Sequence, residues 1–527
     1  MRMIGSLPTF RFSQNPLLAL AGLAAVIWLA YEAAEMVLAG ALTNLILIGL
    51  MIAGSAVVVA ILNDWKRGLY LFLPWILFED LIRKYLGNNM AIFFAKDLLV
   101  LVTYLSYFIS SRGKPAKPFR PPFLIPLLVL VWFGLIQVFN PASTSIFYGL
   151  LGMKIYFLYV PLMYLGYALI EKDEDLWKLL TFNTVLVTCV AGLGIAQAII
   201  GPTFLNPPTL QEDIRELATL YRASPISGQI AYRPTSVFVS TGRFSNFIIV
   251  SWALILGFGS YLLLRSRRSR LIAFLAVGVV GMASIMSTSR SVFLWTASTT
   301  LIVVAGILWG APWRQGQVRR VLRAIQRIML VGGMALLLMV TFFPEQIGSR
   351  FAIYSETLSP ESPASELMLR ARDYPFKNFL LAFQYEQWVT GYGIGTSSLG
   401  TQYVSRIFHA APMGVMVESG YGQILLELGL FGLFLWIGLS VAIIVAAWKV
   451  VRSLRETPWF PIGFSIFWYA ALLLIPMSYI GFVAYQDYVM NAYLWLMLGV
   501  LFRLPGIARE TALAKVVATT SAASGQG

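Results

Sequence analysis

The run ESGYGQILLELGLFGLFLWIGLSVAIIVAAW, Glu418–Trp448, decides the architecture. From Gly420 to Trp448 it carries one charged side chain, Glu427, and the first cation after it is Lys449. An α-helix rises 1.5 Å per residue, so about 20 such residues cross the roughly 30 Å hydrocarbon core of a bilayer. Comparable runs recur along the chain, at 16–37, 40–62, 67–83, 91–110, 122–139, 148–170, 176–200, 245–264, 271–288, 291–309, 328–343, 420–448, 460–482 and 487–503. They predict an all-α polytopic membrane protein with about 12–14 transmembrane helices. Composition agrees: 58% of the 527 residues are hydrophobic and 12% charged, with a mean hydropathy of +0.75. Soluble domains carry about a quarter charged residues, so that class is excluded.

The 39 Lys and Arg exceed the 24 Asp and Glu by 15. With the N-terminus cytoplasmic, 25 of the 39 fall in the N-terminus, in Asp64–Arg67, Arg112–Arg120, Glu171–Lys178, Arg265–Arg270, Arg314–Arg327 and Lys449–Arg455, and in the tail from Arg503. That obeys the positive-inside rule, so these clusters read as topology signals and anionic-lipid contacts rather than nucleic-acid sites. Arg2 and Arg11 ahead of the first apolar run imitate a signal peptide, but the equally apolar runs that follow make it a first spanning helix. The chain then divides into N-terminal spans (1–200), an extracytoplasmic loop (201–244), central spans (245–343), a large extracytoplasmic loop (344–419), C-terminal spans (420–503) and a cytoplasmic tail (504–527). The Ala/Ser/Thr-rich end of that tail, Thr511–Gly527, reads as disordered, and Glu366–Glu386 in the large loop as an amphipathic helix. A single cysteine, Cys189, excludes a disulfide framework, and a single histidine, His409, excludes His-rich metal chemistry.

Fourteen basic residues remain outside the anchors, Arg83, Lys84, Lys96, Lys154, Arg215, Arg222, Arg233, Arg243, Arg290, Arg350, Arg370, Arg372, Lys377 and Arg406. An ionisable group within or beside a span is costly and marks a functional interior by default. Arg290 lies in Ser287-Thr-Ser-Arg-Ser291, an outer turn whose hydroxyls complete an oxyanion cluster, and Arg233 and Arg243 flank Pro234–Gly242 on the same face. Three converging guanidiniums suit a diphosphate, because arginine offers paired donors in a fixed fork and stays charged. The alternative is that each is paired with a carboxylate and is structural. Lys154 and the Lys96-Asp97 pair stand in apolar surroundings, where ion pairing and substrate contact are both open; Lys96 and Asp97 point to different helix faces and need partners elsewhere. Glu418, at the mouth of the span at 420, is a general base, an arginine-orienting carboxylate or a helix cap. Gly420, Gly422, Gly429 and Gly432 leave room for close helix approach or an acyl chain. Tyr374, Tyr385, Trp388 and Tyr392 either stack on sugar rings or pack the loop.

At these residues the chain resembles the O-antigen ligase and O-antigen polymerase superfamily of membrane glycosyltransferases, best between Arg233 and Gly432. Arg233-Pro-Thr-Ser-Val-Phe238 is similar to the family's arginine and Phe-bearing turn ahead of a span, and Ser289-Arg290 to its Ser-Arg pair at an outer helix turn. Gly391-Tyr-Gly-Ile-Gly395 is similar to its glycine-rich motif beside the large loop. Glu418-Ser419, Gly429 and Gly432 keep the spacing of the ligase motif, with Glu418 where the ligases have the histidine that activates the acceptor. That departure favours a polymerase of O-antigen or exopolysaccharide, or a divergent transferase, over a ligase. His409, nine residues earlier, is either the substitute or a loop residue.

The resemblance implies a GT-C-like architecture in the bacterial plasma membrane, both termini cytoplasmic and the active site extracytoplasmic. It implies a polyprenyl-diphosphate-linked oligosaccharide donor, specifically undecaprenyl diphosphate, a glycan acceptor, and flippase, chain-length or export partners. The reaction expected is metal-independent inverting glycosyl transfer with no cofactor. Arg233, Arg290 and Arg243 would bind the diphosphate leaving group, Arg290 would also stabilise its departure, Glu418 or His409 would take the acceptor proton, and Lys154, Tyr374, Trp388 and Tyr392 would contact sugar or lipid. A ligase, a protein oligosaccharyltransferase and a non-enzymatic transporter of lipid-linked glycan are the rival readings.

Overall fold

The computed structural model describes residues 42–86, 90–111, 119–207, 220–265, 269–312, 340–398, 400–411, 414–481 and 485–524, with a few isolated positions between 326 and 338. The expected spans at 16–37 and, in large part, 328–343 lie outside the described residues, as do most of the basic segments Arg112–Arg120 and Arg314–Arg327, the middle of Arg265–Arg270, Arg215, and the side chain of Arg406.

The apolar runs fold as helices. In chain order they are α1 (Leu42–Asn63), α2 (Trp65–Tyr85), α3 (Met90–Ser111), α4 (Leu124–Gln137), α5 (Ile146–Phe157), α6 (Leu162–Leu169) and α7 (Asp173–Ile200). After the antiparallel hairpin β1 (Tyr221–Ala223) and β2 (Ile230–Tyr232) come α8 (Thr241–Arg265), α9 (Ser269–Met286) and α10 (Arg290–Gly310). The large loop holds α11 (Pro344–Leu358), α12 (Tyr374–Leu381) and α13 (Thr401–Phe408), and the chain ends with α14 (Gly420–Ser453), α15 (Phe460–Leu472), α16 (Ser478–Ile480) and α17 (Tyr488–Ser524).

Eight helices among the described residues are long and apolar enough to cross a membrane, fewer than the 12–14 expected. Three further spans, at 40–62, 122–139 and 271–288, have shorter apolar helical stretches there. The span at 67–83 is helical too, but α2 carries Glu79, Asp80, Arg83 and Lys84 in its last turns, all buried. The tail is a second difference: α17 continues to Ser524, because an Ala-rich sequence after Pro505 sustains a helix.

Helix directions sort the charged ends. Lys66 pairs with Glu171, Tyr261 and Trp459 donate to Asp173, Arg503 donates to the Ile170 carbonyl, and the Glu456 amide donates to the Gly310 carbonyl. These mark one end of the bundle. α10 runs about 30 Å from that end to Arg290, and α7, α8 and α14 likewise carry Gln197, Arg243 and Gly420 to the opposite end. The hairpin, α11–α13 and the two cavities described below gather there.

One helix break positions this end. At Gly429 the backbone of α14 leaves helical geometry (φ +70°), freeing the Leu426 and Glu427 carbonyls. The Tyr392 and Gly393 amides donate to them at 2.7 and 3.0 Å, and the Leu430 amide donates to the Val389 carbonyl at 3.0 Å. Irregular backbone at such depth is tolerated only where protein satisfies it. Gly391, Gly393 and Gly395 all have positive φ, and a Cβ on Gly395 would come within 2.6 Å of the Gly152 amide of α5. The glycine motif is therefore a plug between α5 and α14, and Gly429 admits that loop rather than a helix or an acyl chain.

Candidate functional site

Arg290 opens α10 behind Ser289, while α9 ends at Met286 and leaves Ser287, Thr288 and Ser289 as the turn. The hairpin folds over this turn. The buried Arg350 of α11 donates to the Met286 and Tyr232 carbonyls, and Arg222 of β1 donates to the Thr288 carbonyl at 3.1 Å. The hairpin thereby brings Arg222 and Arg233 beside Arg290. A cavity of about 690 Å³ results, lined by these three arginines, by Arg370, Glu366, Tyr374, Glu418 and Gln423, and by an apolar wall that includes Leu294, Trp295 and Ile480.

Four guanidiniums face two carboxylates in this cavity. Glu366 pairs with Arg290 at 2.8 Å and with Arg370 at 3.1 Å through the same oxygen. Burial works to raise the Glu366 carboxyl, but the hydrogen bonds from the two arginines hold it below its ordinary value. Burial depresses Arg222 to about 10, and the neighbouring charges of Arg233 and Arg290 push the same way; Arg233 is lowered by burial and then by Arg290. Three like charges thus sit in mutual repulsion with room for an anion between them.

Glu418 is exposed to this cavity, just ahead of α14. The cap of α14 is Ser419, whose Oγ accepts from the Gly422 amide, and the carboxylate that orients Arg290 is Glu366. Glu418 accepts from the Tyr374 hydroxyl, and the Arg370 guanidinium lies 4.8 Å from the centre of the Tyr374 ring. Among the described residues no cation pairs with Glu418, so neither the arginine-orienting nor the helix-capping role falls to it.

Other expected site residues fall elsewhere. Arg243 does not join Arg233 and Arg290: one turn into α8 it reaches Asp80 of α2 at 2.8 Å and the Tyr488 hydroxyl at 3.2 Å. Lys154 pairs with Asp97 at 2.5 Å and Lys96 with Glu79 at 3.0 Å, so these neighbours in sequence do find separate partners. Arg243, Lys154 and Lys96 line a second cavity of about 490 Å³. His409 is exposed at the left-handed end of α13 and lines neither cavity. Trp388 packs on Phe383 and Tyr392 on Tyr385, within the loop rather than on a cavity wall. Tyr374 alone of the aromatic set lines the site.

Arg222 and Arg370 stand in the sequence only among the outlying cations, and Glu366, the partner of Arg290 and Arg370, is not marked there at all. Nothing in their local spacing marks them. Arg222 is delivered by strand register with Ala231, and Arg370 by a π-helical turn at Leu369–Asp373. Among the described residues no three His, Cys, Asp or Glu side chains come together as a metal site.

Fold and site together define a multi-pass helical membrane protein with an arginine-lined cavity at one end of its bundle. No family model matches the chain, and no curated protein matches it at a significant level of similarity.

Proposed function

We propose that the protein joins oligosaccharide repeat units carried on polyprenyl diphosphate, as a polysaccharide polymerase acting at the outer leaflet of a bacterial plasma membrane. One observation carries this reading: among the described residues Arg222, Arg233, Arg290 and Arg370 share a cavity with two carboxylates, Glu366 and Glu418, beside an apolar wall. A diphosphate ester on a long apolar chain matches that combination of charge and wall. The arginines bind the diphosphate and stabilise the negative charge that grows on it as it leaves, commonly the largest single catalytic contribution. Glu418, oriented by Tyr374, takes the proton from the acceptor hydroxyl. The hydroxyl oxygen bonds to the anomeric carbon as the bond from that carbon to the diphosphate oxygen breaks, and the electron pair departs with the diphosphate.

The test is product formation by the purified protein in detergent, supplied with lipid-linked oligosaccharide. Longer glycans and free polyprenyl diphosphate are expected from the wild type, with a fall of about 100-fold or more for Glu418→Gln at unchanged thermal stability. Unchanged substrate from folded wild-type protein would overturn the reading and point to transport. A lipid A or protein acceptor would replace the polymerase by a ligase or an oligosaccharyltransferase.

A further inference from the structure

The second cavity adjoins the first, and the two share Gln423 and Gly481 in their walls. Its cations invite the same anion-binding reading, but their partners argue against it. Arg83, Lys96, Lys154 and Arg243 line it. Lys154 is held by Asp97, Lys96 by Glu79, and Arg83 and Arg243 by the fully buried Asp80 at 3.2 and 2.8 Å. Asp487, on the wall itself, adds a fourth carboxylate within electrostatic reach of Arg243. Aromatic rings cover the cations further: Lys96 lies 3.4 Å from the centre of the Phe93 ring and 4.6 Å from that of Tyr488, and Arg243 lies 4.8 Å from the latter. Lys84, the remaining cation of the cluster, is not on the wall and donates to the Thr235 hydroxyl and the Ser236 carbonyl.

Each of the four cations on this wall is thus already ion-paired, with Asp97, Glu79 or Asp80 standing behind the wall, and Asp487 adds a carboxylate on it. An anion entering here would compete with carboxylates already seated on every cation. The wall also carries neutral polar side chains, Ser240, Asn246, Gln423 and Gln486, while the Tyr159 and Tyr488 hydroxyls are bonded to Asp97 and Arg243. Gln486 donates to Gln423 at 2.8 Å, at the junction of the two cavities. Gly481, also at the junction, lies against the Glu418 carbonyl, which a Cβ there would approach to 2.6 Å. A hydroxyl leaving the second cavity past Gln423 would emerge beside Glu418.

We infer that the second cavity binds an uncharged saccharide and is the seat of the acceptor glycan, whose hydroxyl it presents to the first cavity. This rests on the polymerase reading, and the test separates the two. Gly242 lines the second cavity from α8, and a Cβ there would meet only the Ser240 hydroxyl, at 3.9 Å. Gly242→Trp can therefore be introduced without a clash at Cβ to place bulk at this wall, and Asn246→Leu, one turn further on the same face, removes a polar side chain. Both variants of the full chain are purified in detergent and checked by thermal melting. Two quantities are then measured: binding of sugar-free undecaprenyl diphosphate by native mass spectrometry, and elongation of lipid-linked repeat units. The expected result is a loss of elongation of at least about tenfold with unchanged undecaprenyl diphosphate binding, while Arg290→Ala loses that binding. Weakened undecaprenyl diphosphate binding in Gly242→Trp would make the second cavity an anion site and overturn the inference alone, as would wild-type elongation in both variants. Wild-type binding of undecaprenyl diphosphate by Arg290→Ala would overturn the polymerase reading and this inference with it.

Discussion

Arg290→Ala is the most informative single substitution. The guanidinium is largely buried, with 14% of the side chain exposed, and among the described residues it forms an ion pair with Glu366 alone. Removing it takes one of the four guanidiniums from the described lining of the cavity and leaves Glu366 to Arg370. At an effective dielectric of about 20, a unit charge about 5 Å from a phosphate contributes ~3 kcal/mol. At 1.36 kcal/mol per decade, that is a fall of roughly 200-fold in kcat/KM for release of polyprenyl diphosphate from lipid-linked repeat units. Arg290→Lys keeps the charge but loses the paired donors, so it should recover about half of that loss on a logarithmic scale. The assay is chromatographic quantitation of free polyprenyl diphosphate against time, with thermal melting to show that each variant is folded. Activity of Arg290→Ala within about threefold of wild type would refute diphosphate stabilisation by this residue.

Glu366→Gln acts in the opposite direction. It releases Arg290 and Arg370 from their ion pairs, so undecaprenyl diphosphate should bind about tenfold more tightly in a titration by native mass spectrometry. Gly395→Ala places a Cβ against the Gly152 amide at a residue with φ +85°, and should lower stability by about 1–3 kcal/mol in a thermal melt while leaving the cavity side chains in place. Glu356 fastens the hairpin turn to α11; its carboxyl is held down to about 2 by hydrogen bonds from the Ser224 hydroxyl first, and from the Ile226 and Ser227 amides. Because the folded value lies below the ordinary 4.5, its contribution is complete above that pH and is lost as pH falls towards 2. The difference in hairpin protection from hydrogen exchange between wild type and Glu356→Gln should therefore shrink as pH is lowered through that window.

The helices were legible because burial in lipid demands long apolar runs, and α14 shows the limit of that logic. Its composition announces a helix through Gly429, but the break there depends on a loop from 391–395 whose amides take over the freed carbonyls. Only the clustering of Gly391, Gly393 and Gly395 hinted that a backbone must approach closely. That Arg290 and Arg233 stand together was legible because a cation beside a span is costly without a partner, and both line one cavity. Arg243 has the same local signature and a different place, since Asp80, 163 residues earlier, draws it into the second cavity. Charge at a position is written in the chain, but its partner is set by packing. Arg222, Arg370 and Glu366 belong to the same lesson, being brought in by a hairpin register and a π-turn that no periodicity marks.

A cryo-electron microscopy structure with bound undecaprenyl diphosphate tests the central claim most directly. The expected result is a diphosphate within hydrogen-bond reach of Arg222, Arg233 and Arg290, with Glu418 facing the departing bond from across the same cavity. A diphosphate seated instead against Lys96, Lys154 and Arg243 in the second cavity would contradict it.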